Sequence, residues 1–353
     1  MTDWSLDSDI EEVIARLGKE AEAFAGKTVL LTGARGFLGR YFMEIFSKLT
    51  SEVLSEPVSL VALDNFIVSG TAGAKTKEQP NITFIQHDVI EPFSYDGDID
   101  FVVHTAGIAS PFYYRAYPLE TLDVAVTGTR RMLDIATAKR ARFTFFSSSE
   151  IYGDPDPRHV PIAESYRGNV SCQGPRACYD ESKRLGETLC YVYHTREGTA
   201  TNTIRPFNVY GPGMQETDYR VLPNFASRLK SGAPLNVYGS GKQTRTFCYI
   251  TDAMVGFFLV ILKGVPGEAY NVGNPRPEIS VEDLVLSMER VLGREIPRNL
   301  VEYPDSYPAD EPLRRCPDIR KARLQLGYSP EVDLDEGLRR FFRWTNEVYT
   351  GAG

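Results

Sequence analysis

The chain has 353 residues, 42% of them hydrophobic and 24% charged, with a net charge of −8. That size and composition suit one large globular domain, or a large and a small one sharing a cleft, and exclude a disordered or fibrous chain. The acidic balance offers no nucleic-acid footprint, although a helix N-terminus and a few arginines can still hold an anionic ligand.

Residues 1–24 read as an amphipathic acidic helix rather than a signal peptide. Lys27–Thr32 is a short β-branched run ending at a glycine, followed by an apolar helical stretch from about Phe37 to Leu49. Further strand-like runs are Val58–Leu63, Ile82–Gln86 and Phe101–His104. A helix over Leu119–Lys139 precedes the strand Arg142–Ser147, and another helix precedes Thr201–Ile204. Continuous apolar strands separated by helices are what a parallel sheet covered on both faces requires. The expected fold is therefore α/β, a Rossmann-like doubly wound parallel sheet.

From about Gly211 the pattern loosens into short strands such as Leu235–Tyr238 and helices near Val221–Lys230, Val281–Leu292 and Leu334–Val348. The organisation expected is an N-terminal helical extension (1–26), a doubly wound domain (27–210) and a smaller α/β lobe (211–353). Within that lobe, 246–274 is expected to return to the main domain, with Ala269–Val272 rejoining its sheet. The longest apolar run, Ala253–Leu262, is too short to cross a bilayer. Five cysteines (Cys172, Cys178, Cys190, Cys248, Cys316) without a CxxC spacing argue against a disulfide framework or a zinc site. A cytoplasmic protein with no membrane or nucleic-acid partner and no metal is expected.

Thr32-Gly33-Ala34-Arg35-Gly36-Phe37-Leu38-Gly39 sits where the first strand turns into the first domain helix. Glycines there permit a tight turn and let backbone amides approach a pyrophosphate, whose charge the helix N-terminus stabilises. The second strand ends in Asp64-Asn65. A carboxylate there accepts hydrogen bonds from ribose hydroxyls and repels a 2′-phosphate, favouring NAD over NADP, while Arg35 argues the other way. Asp88-Val89, after the third strand, is a candidate adenine contact, and a simple turn aspartate would read the same way.

Tyr179-Asp180-Glu181-Ser182-Lys183 puts a tyrosine and a lysine at i and i+4 on one helix face. A phenol with a pKa of about 10 is a poor base at neutral pH. An ammonium one turn away, with a positive nicotinamide ring, would favour the phenolate and suit it to general-base work. Ser148, at the end of the fifth strand, would share the substrate proton with Tyr179. YxxxK alone is common on solvated helix faces, whereas its combination with the glycine turn and the serine is specific.

With these motifs the chain resembles the extended short-chain dehydrogenases/reductases that act on nucleotide-sugars, from about Lys27 to Phe342. Supporting segments are Asp64-Asn65-Phe66, His104-Thr105-Ala106-Gly107, Arg205–Pro212 and Tyr238–Arg245. The resemblance implies bound NAD, with Ala106 among its contacts. It implies Asn208 and Arg245 on the diphosphate, Val221–Asn224 along the nucleotide base and Tyr238 beside the substrate. It also implies a homodimer built on a helix bundle that includes the Tyr179 helix. One departure is Ala125, where the family usually has asparagine ahead of Gly128-Thr129.

Three features select the reaction. Glu150, beside the active serine, implies proton handling beyond the return of a hydride. Gln173–Lys183 and Ser149–Pro155 resemble UDP-glucuronate decarboxylases, as does Asp310–Arg320, whose Arg315 matches their active-site arginine. A planar guanidinium can grip a sugar carboxylate through two parallel hydrogen bonds. The expected enzyme oxidises C4 of a UDP-hexuronic acid with Tyr179 as base and then loses carbon dioxide. Ser149, Glu150 and Arg315 position the carboxylate, and Tyr114 and Arg176 are further substrate contacts. Alternatives are a nucleotide-sugar 4,6-dehydratase with Glu150 abstracting the C5 proton, then a 4-epimerase. A non-catalytic NAD-binding protein is disfavoured because tyrosine, lysine and serine are all present.

Overall fold

The computed structural model describes residues 7–69, 79–302 and 312–351. Residues 1–6 of the acidic N-terminal stretch, and Asp310 and Glu311 of the late segment, lie outside the described residues. The first part of the chain runs helix α1 (Asp7–Leu17), β1 (Thr28–Thr32), α2 (Phe37–Glu52), β2 (Ser59–Asp64), β3 (Ile82–Gln86) and β4 (Phe101–His104). It continues through α3 (Pro111–Ala116), α4 (Pro118–Asp123), α5 (Thr129–Lys139), β5 (Arg142–Phe146), α6 (Ala177–Glu197) and β6 (Thr201–Pro206). The second part contains β7 (Val209–Tyr210), α7 (Val221–Ser231), β8 (Leu235–Tyr238), β9 (Thr244–Arg245), β10 (Cys248–Tyr249), α8 (Ile250–Lys263) and β11 (Ala269–Val272). It ends with β12 (Ile279–Ser280), α9 (Val281–Leu292), β13 (Arg298–Val301), β14 (Arg314–Arg315), α10 (Arg320–Leu326) and α11 (Leu334–Val348).

Seven strands form one sheet in the order β11-β6-β5-β4-β1-β2-β3, and every neighbouring pair is parallel. This is the doubly wound Rossmann-like fold. Alternation along β1 shows both faces covered: Val29 and Leu31 join the core with α2 and α8, while Leu30 joins the core with α5 and α6. Ile250–Ile261 of α8 are buried throughout, as an apolar helix sandwiched between sheet and neighbours must be. Ala269–Val272 completes the sheet beside β6. Among the described residues three small sheets accompany it: β7 with β10, β8 with β13, and β12-β9-β14.

Two features depart from the periodicity of the sequence. The helix expected over Leu119–Lys139 is interrupted by a wider π-helical turn at Val124–Gly128, a local widening often found at functional sites. Gly128 is needed there because a Cβ would lie 2.7 Å from Val89 Cγ2. The acidic N-terminal segment packs on its own chain: Ile10, Val13, Leu17 and Phe24 are buried against α2 and α8. The Phe24 ring lies 5.1 Å from Phe46, 5.2 Å from Phe101 and 5.7 Å from Phe258.

Polar contacts fix the orientation of α1. Buried Asp9 accepts hydrogen bonds from Tyr41 Oη at 3.1 Å and from Tyr249 Oη at 3.0 Å. Arg16 donates to Asp252 at 2.7 Å, and Arg340 of α11 donates to Glu12 at 2.6 Å. Replacing Asp9 with alanine leaves two buried phenols without acceptors, so Asp9→Ala should lower unfolding stability by about 1–3 kcal/mol. Denaturant midpoints compared at unchanged slope measure this, and a variant as stable as the parent would contradict the role given to α1.

Candidate active site

The turn between β1 and α2 is shaped by close contact. Gly33 has φ +68°, and a Cβ there would lie 2.8 Å from the backbone of Ala106. A Cβ on Gly39 would lie 2.1 Å from the Gly33 carbonyl. Helix α2 begins at Gly36 without a side-chain cap, so its first amides are left for a ligand anion. This uncapped, side-chain-free cradle fits the pyrophosphate of a dinucleotide. Every residue expected to bind the cofactor lines the cavity above it: Gly33, Gly36, Phe37, Leu38, Gly39, Asp64, Asn65, Asp88, Val89, Ala106, Tyr179 and Lys183.

Asp64 first organises its own loop, accepting from the amides of Arg35 and Phe66, each at 2.8 Å. Each carboxylate oxygen retains a second lone pair for a ribose hydroxyl. Asn65 donates to Asp88 at 2.9 Å, tying the second and third strand ends together. The Arg35 guanidinium lies over the rings of Phe84 (5.4 Å) and Phe66 (6.0 Å).

Buried His104 bridges Thr32 Oγ1 (2.8 Å) and Thr129 Oγ1 (3.1 Å) with its two ring nitrogens, clamping β1 to α5. Burial, helped by repulsion from Lys183, pushes its pKa down to about 3. The sequence motifs assigned this clamp to none of the three residues.

Helix α6 carries Tyr179 and Lys183 against β5. Gly186 allows this approach, since a Cβ there would meet the Phe145 ring at 2.4 Å. Lys183 Nζ donates to the Phe146 carbonyl at 2.7 Å, and burial lowers its pKa to about 8. Tyr179 stacks on Tyr114 with ring centres 5.4 Å apart. Burial raises its pKa to about 12, opposed by a hydrogen bond with Ser148 and by the charge of Arg220. In the protein alone burial dominates, and the groups opposing it are Ser148 and Arg220. Arg220 lies just before α7 in the segment Met214–Arg220, which the sequence places near the substrate without assigning this arginine a role.

A second cavity adjoins the first, and both contain Glu150, Tyr179, Asn208 and Arg220. Its walls carry all the expected substrate residues: Tyr114, Arg176, Asn208, Val221, Asn224, Tyr238, Arg245 and Arg315. Ser148 and Ser149 face the first cavity. Asn208 has φ +43°, a conformation asparagine tolerates, and its amide donates to the Thr246 carbonyl at 2.8 Å. Arg245 and Arg315 are register partners on β9 and β14, so that ladder brings two arginines to one site.

Glu150 lies among them. It takes Arg315 through both oxygens, Nη2 to Oε2 at 2.6 Å, and also pairs with Arg176. Burial alone would raise its pKa, but Arg176, Arg315 and Arg245 outweigh it and hold the carboxyl at about 2. Paired with two arginines, Glu150 is held as a carboxylate in this arrangement. Arg315 likewise holds an internal carboxylate. Asp180, not anticipated from the sequence, adjoins this group, with Arg176 Nε 3.4 Å from its Oδ2.

The sequence profile of the NAD dependent epimerase/dehydratase family matches residues 29–273. The chain belongs to this family. It is 38% identical over 318 residues to UDP-glucuronic acid decarboxylase 1 of Xenopus tropicalis, covering 89% of this chain and 71% of that protein. It is 36% identical to UDP-glucuronic acid decarboxylase 1 of Arabidopsis thaliana, covering 88% and 68%. Among solved structures, a dTDP-glucose 4,6-dehydratase from Streptomyces venezuelae with NAD bound superposes with a TM-score of 0.77 at 25% identity, covering 91% and 97%. A variant of UDP-glucuronic acid 4-epimerase from Bacillus cereus, bound to NAD and UDP-4-deoxy-4-fluoro-glucuronic acid, also gives 0.77 at 25%, covering 91% and 100%. The cofactor of this family is NAD, and the uncapped glycine cradle fits its pyrophosphate.

With its folded pKa below the ordinary 6.5, His104 stays neutral while an unfolded histidine would charge. Stability should therefore fall as pH drops from about 6.5 towards 3. Imidazole NMR should show no His104 titration between pH 5 and 8, and a midpoint near 6.5 would overturn the buried-clamp description.

Proposed function

We propose that the chain is a UDP-glucuronate decarboxylase. The observation carrying this reading is buried Arg315, which lines the substrate cavity and pairs with Glu150, a residue lining both cavities, where a guanidinium can exchange one carboxylate for another. The identity of 36–38% with UDP-glucuronic acid decarboxylases over about nine-tenths of the chain supports it.

NAD, when bound, supplies the acceptor for the C4 hydride. Tyr179 accepts the 4-hydroxyl proton, with Ser148 sharing it through their hydrogen bond. Lys183, anchored on the Phe146 carbonyl, holds positive charge beside the phenol ring, 5.9 Å from its centre. Arg315 grips the C6 carboxylate, with Ser149 and Arg176 alongside. Oxidation makes the sugar a β-keto acid, and its C5–C6 bond breaks because the electron pair delocalises into the 4-ketone. A 4,6-dehydratase would need Glu150 as a free base, which its two arginine partners disfavour.

We also infer a cytoplasmic homodimer. Leu119 and Leu122 of α4 and Leu185, Tyr191 and Val192 of α6 are exposed at 36–69% on two adjacent helices, an apolar face suited to a helix bundle. The five free thiols, Cys172 exposed, suit a reducing compartment. No helix among the described residues is long and apolar enough to cross a membrane.

Incubation with NAD and UDP-glucuronate should release carbon dioxide and give a product lighter by that mass. Tyr179→Phe should lower kcat by about 10²–10⁴-fold with the fold intact, and Arg315→Ala should abolish decarboxylation while UDP binding persists. Loss of water from a neutral hexose nucleotide, or a UDP-glucuronate product of unchanged mass, would instead assign a dehydratase or an epimerase.

A further inference from the structure

Three segments from distant parts of the chain meet at the cofactor cavity. Tyr113 of α3 donates its hydroxyl to Gln215 Oε1 at 2.9 Å, and Gln215 Nε2 donates to the Val68 carbonyl at 3.0 Å. All three residues line the cavity that also contains Gly33, Asp64 and Lys183, and none of them lines the substrate cavity. They belong neither to the glycine turn nor to the Tyr179/Lys183 pair.

The sheet topology says where this bridge runs. Val68 follows β2, Tyr113 follows β4, and Gln215 follows β7, which continues from β6. In the sheet, β6 and β2 are separated by β5, β4 and β1. At about 4.8 Å between neighbours their ends stand roughly 19 Å apart. Loops from the two can touch only by arching over the carboxyl edge, where the glycine turn and Tyr179 form the cofactor site. Gly213 marks the crossing: a Cβ there would lie 3.4 Å from the Phe37 ring, at the start of α2. Its φ of +96° is one that glycine adopts readily.

The arch is fastened firmly at its rear. Tyr349 Oη donates to the Met214 carbonyl at 2.9 Å. Glu216 accepts from Ser227 of α7 at 2.8 Å and from the amides of Thr350 and Gly351 at 2.9 and 2.7 Å. On the α3 side, Ser110 Oγ lies 3.4 Å from Asp218, and the Tyr219 and Phe112 rings meet edge to face at 5.2 Å. The far end reaches the loop after β2 through Gln215. A carboxamide exchanging neutral hydrogen bonds is a weak fastening beside these, so the arch parts between Gln215 and Val68.

We infer that Gln215, positioned by Tyr113, is a latch that closes this arch over NAD and has to open before the dinucleotide enters or leaves. Its hydrogen bonds join protein groups only, so it closes whether or not the cofactor is bound. A sugar nucleotide reaches Tyr179 from the other cavity, whose walls include Tyr114, Tyr219 and Arg220 but not the latch. Sugars can therefore exchange while the cofactor stays. A latch acts on rates: it slows entry and exit together, whereas a residue touching the cofactor changes its affinity.

Stopped-flow NADH fluorescence tests this on the full chain. Release is followed by chasing NADH-loaded protein with excess NAD, and association by mixing NADH with protein freed of nucleotide. Gln215→Ala should raise both rate constants roughly ten-fold and leave Kd within about two-fold of the parent. Tyr113→Phe, which removes a single hydroxyl, should move both rates the same way by a smaller factor. UDP binding reports that each variant is folded. Rates unchanged in both variants overturn the latch. Faster release with unchanged association, and Kd weakened in proportion, also overturns it, because Gln215 would then be a cofactor contact. No sugar turnover enters the measurement, so its outcome is independent of the decarboxylase reading.

Discussion

Helix α6 lies so close to β5 that only a hydrogen fits at position 186, and the site is built on that approach. It brings Lys183 within reach of the Phe146 carbonyl and sets the Tyr179 hydroxyl beside Ser148 at the strand end. The same carboxyl edge of the sheet carries the glycine turn after β1 and the carboxylate ending β2. Where a parallel sheet ends, backbone and side chains from separate strands converge without any one segment having to be long. Residues proposed for catalysis and for cofactor binding, more than a hundred positions apart, thus need only one rigid scaffold.

What the sheet cannot supply is charge at the far end of the sugar. That comes from the short β9–β14 ladder, which pairs Arg245 with Arg315 and faces them towards the turn after β5. Burial there would neutralise a lone carboxylate. Glu150 remains ionised because two guanidinium groups surround it, an arrangement whose electrostatic terms are large and nearly cancelling. Such a balance responds strongly when one more charge enters.

The sheet was legible in the sequence because fully buried parallel strands leave uninterrupted apolar runs such as Val58–Leu63. The glycine turn and the Tyr179/Lys183 spacing were legible for a similar reason, since each is confined to one short segment. The π-helical turn at Val124–Gly128 was not, because its periodicity differs little from that of an ordinary helix over five residues. Nor were the partners of Glu150. Arg315 was marked by resemblance, but its engagement by Glu150 across 165 positions is a tertiary fact. The same holds for the rise in Tyr179 pKa, which depends on how much protein covers the ring, and for Asp180, whose neighbours Tyr179 and Lys183 looked like the whole message of that helix.

Helix α1 has a consequence for how the protein is made. Its carboxylates bind groups 240 and 328 positions further along, Tyr249 and Arg340. During synthesis the first helix leaves the ribosome with an apolar stripe and has to wait for most of the chain before either partner exists. Contacts of such separation close late and slow the final step of assembly. Until then Ile10, Val13 and Leu17 are open to any chaperone that binds exposed aliphatic side chains, so this helix is among the last elements to be secured although its partners follow it in the chain.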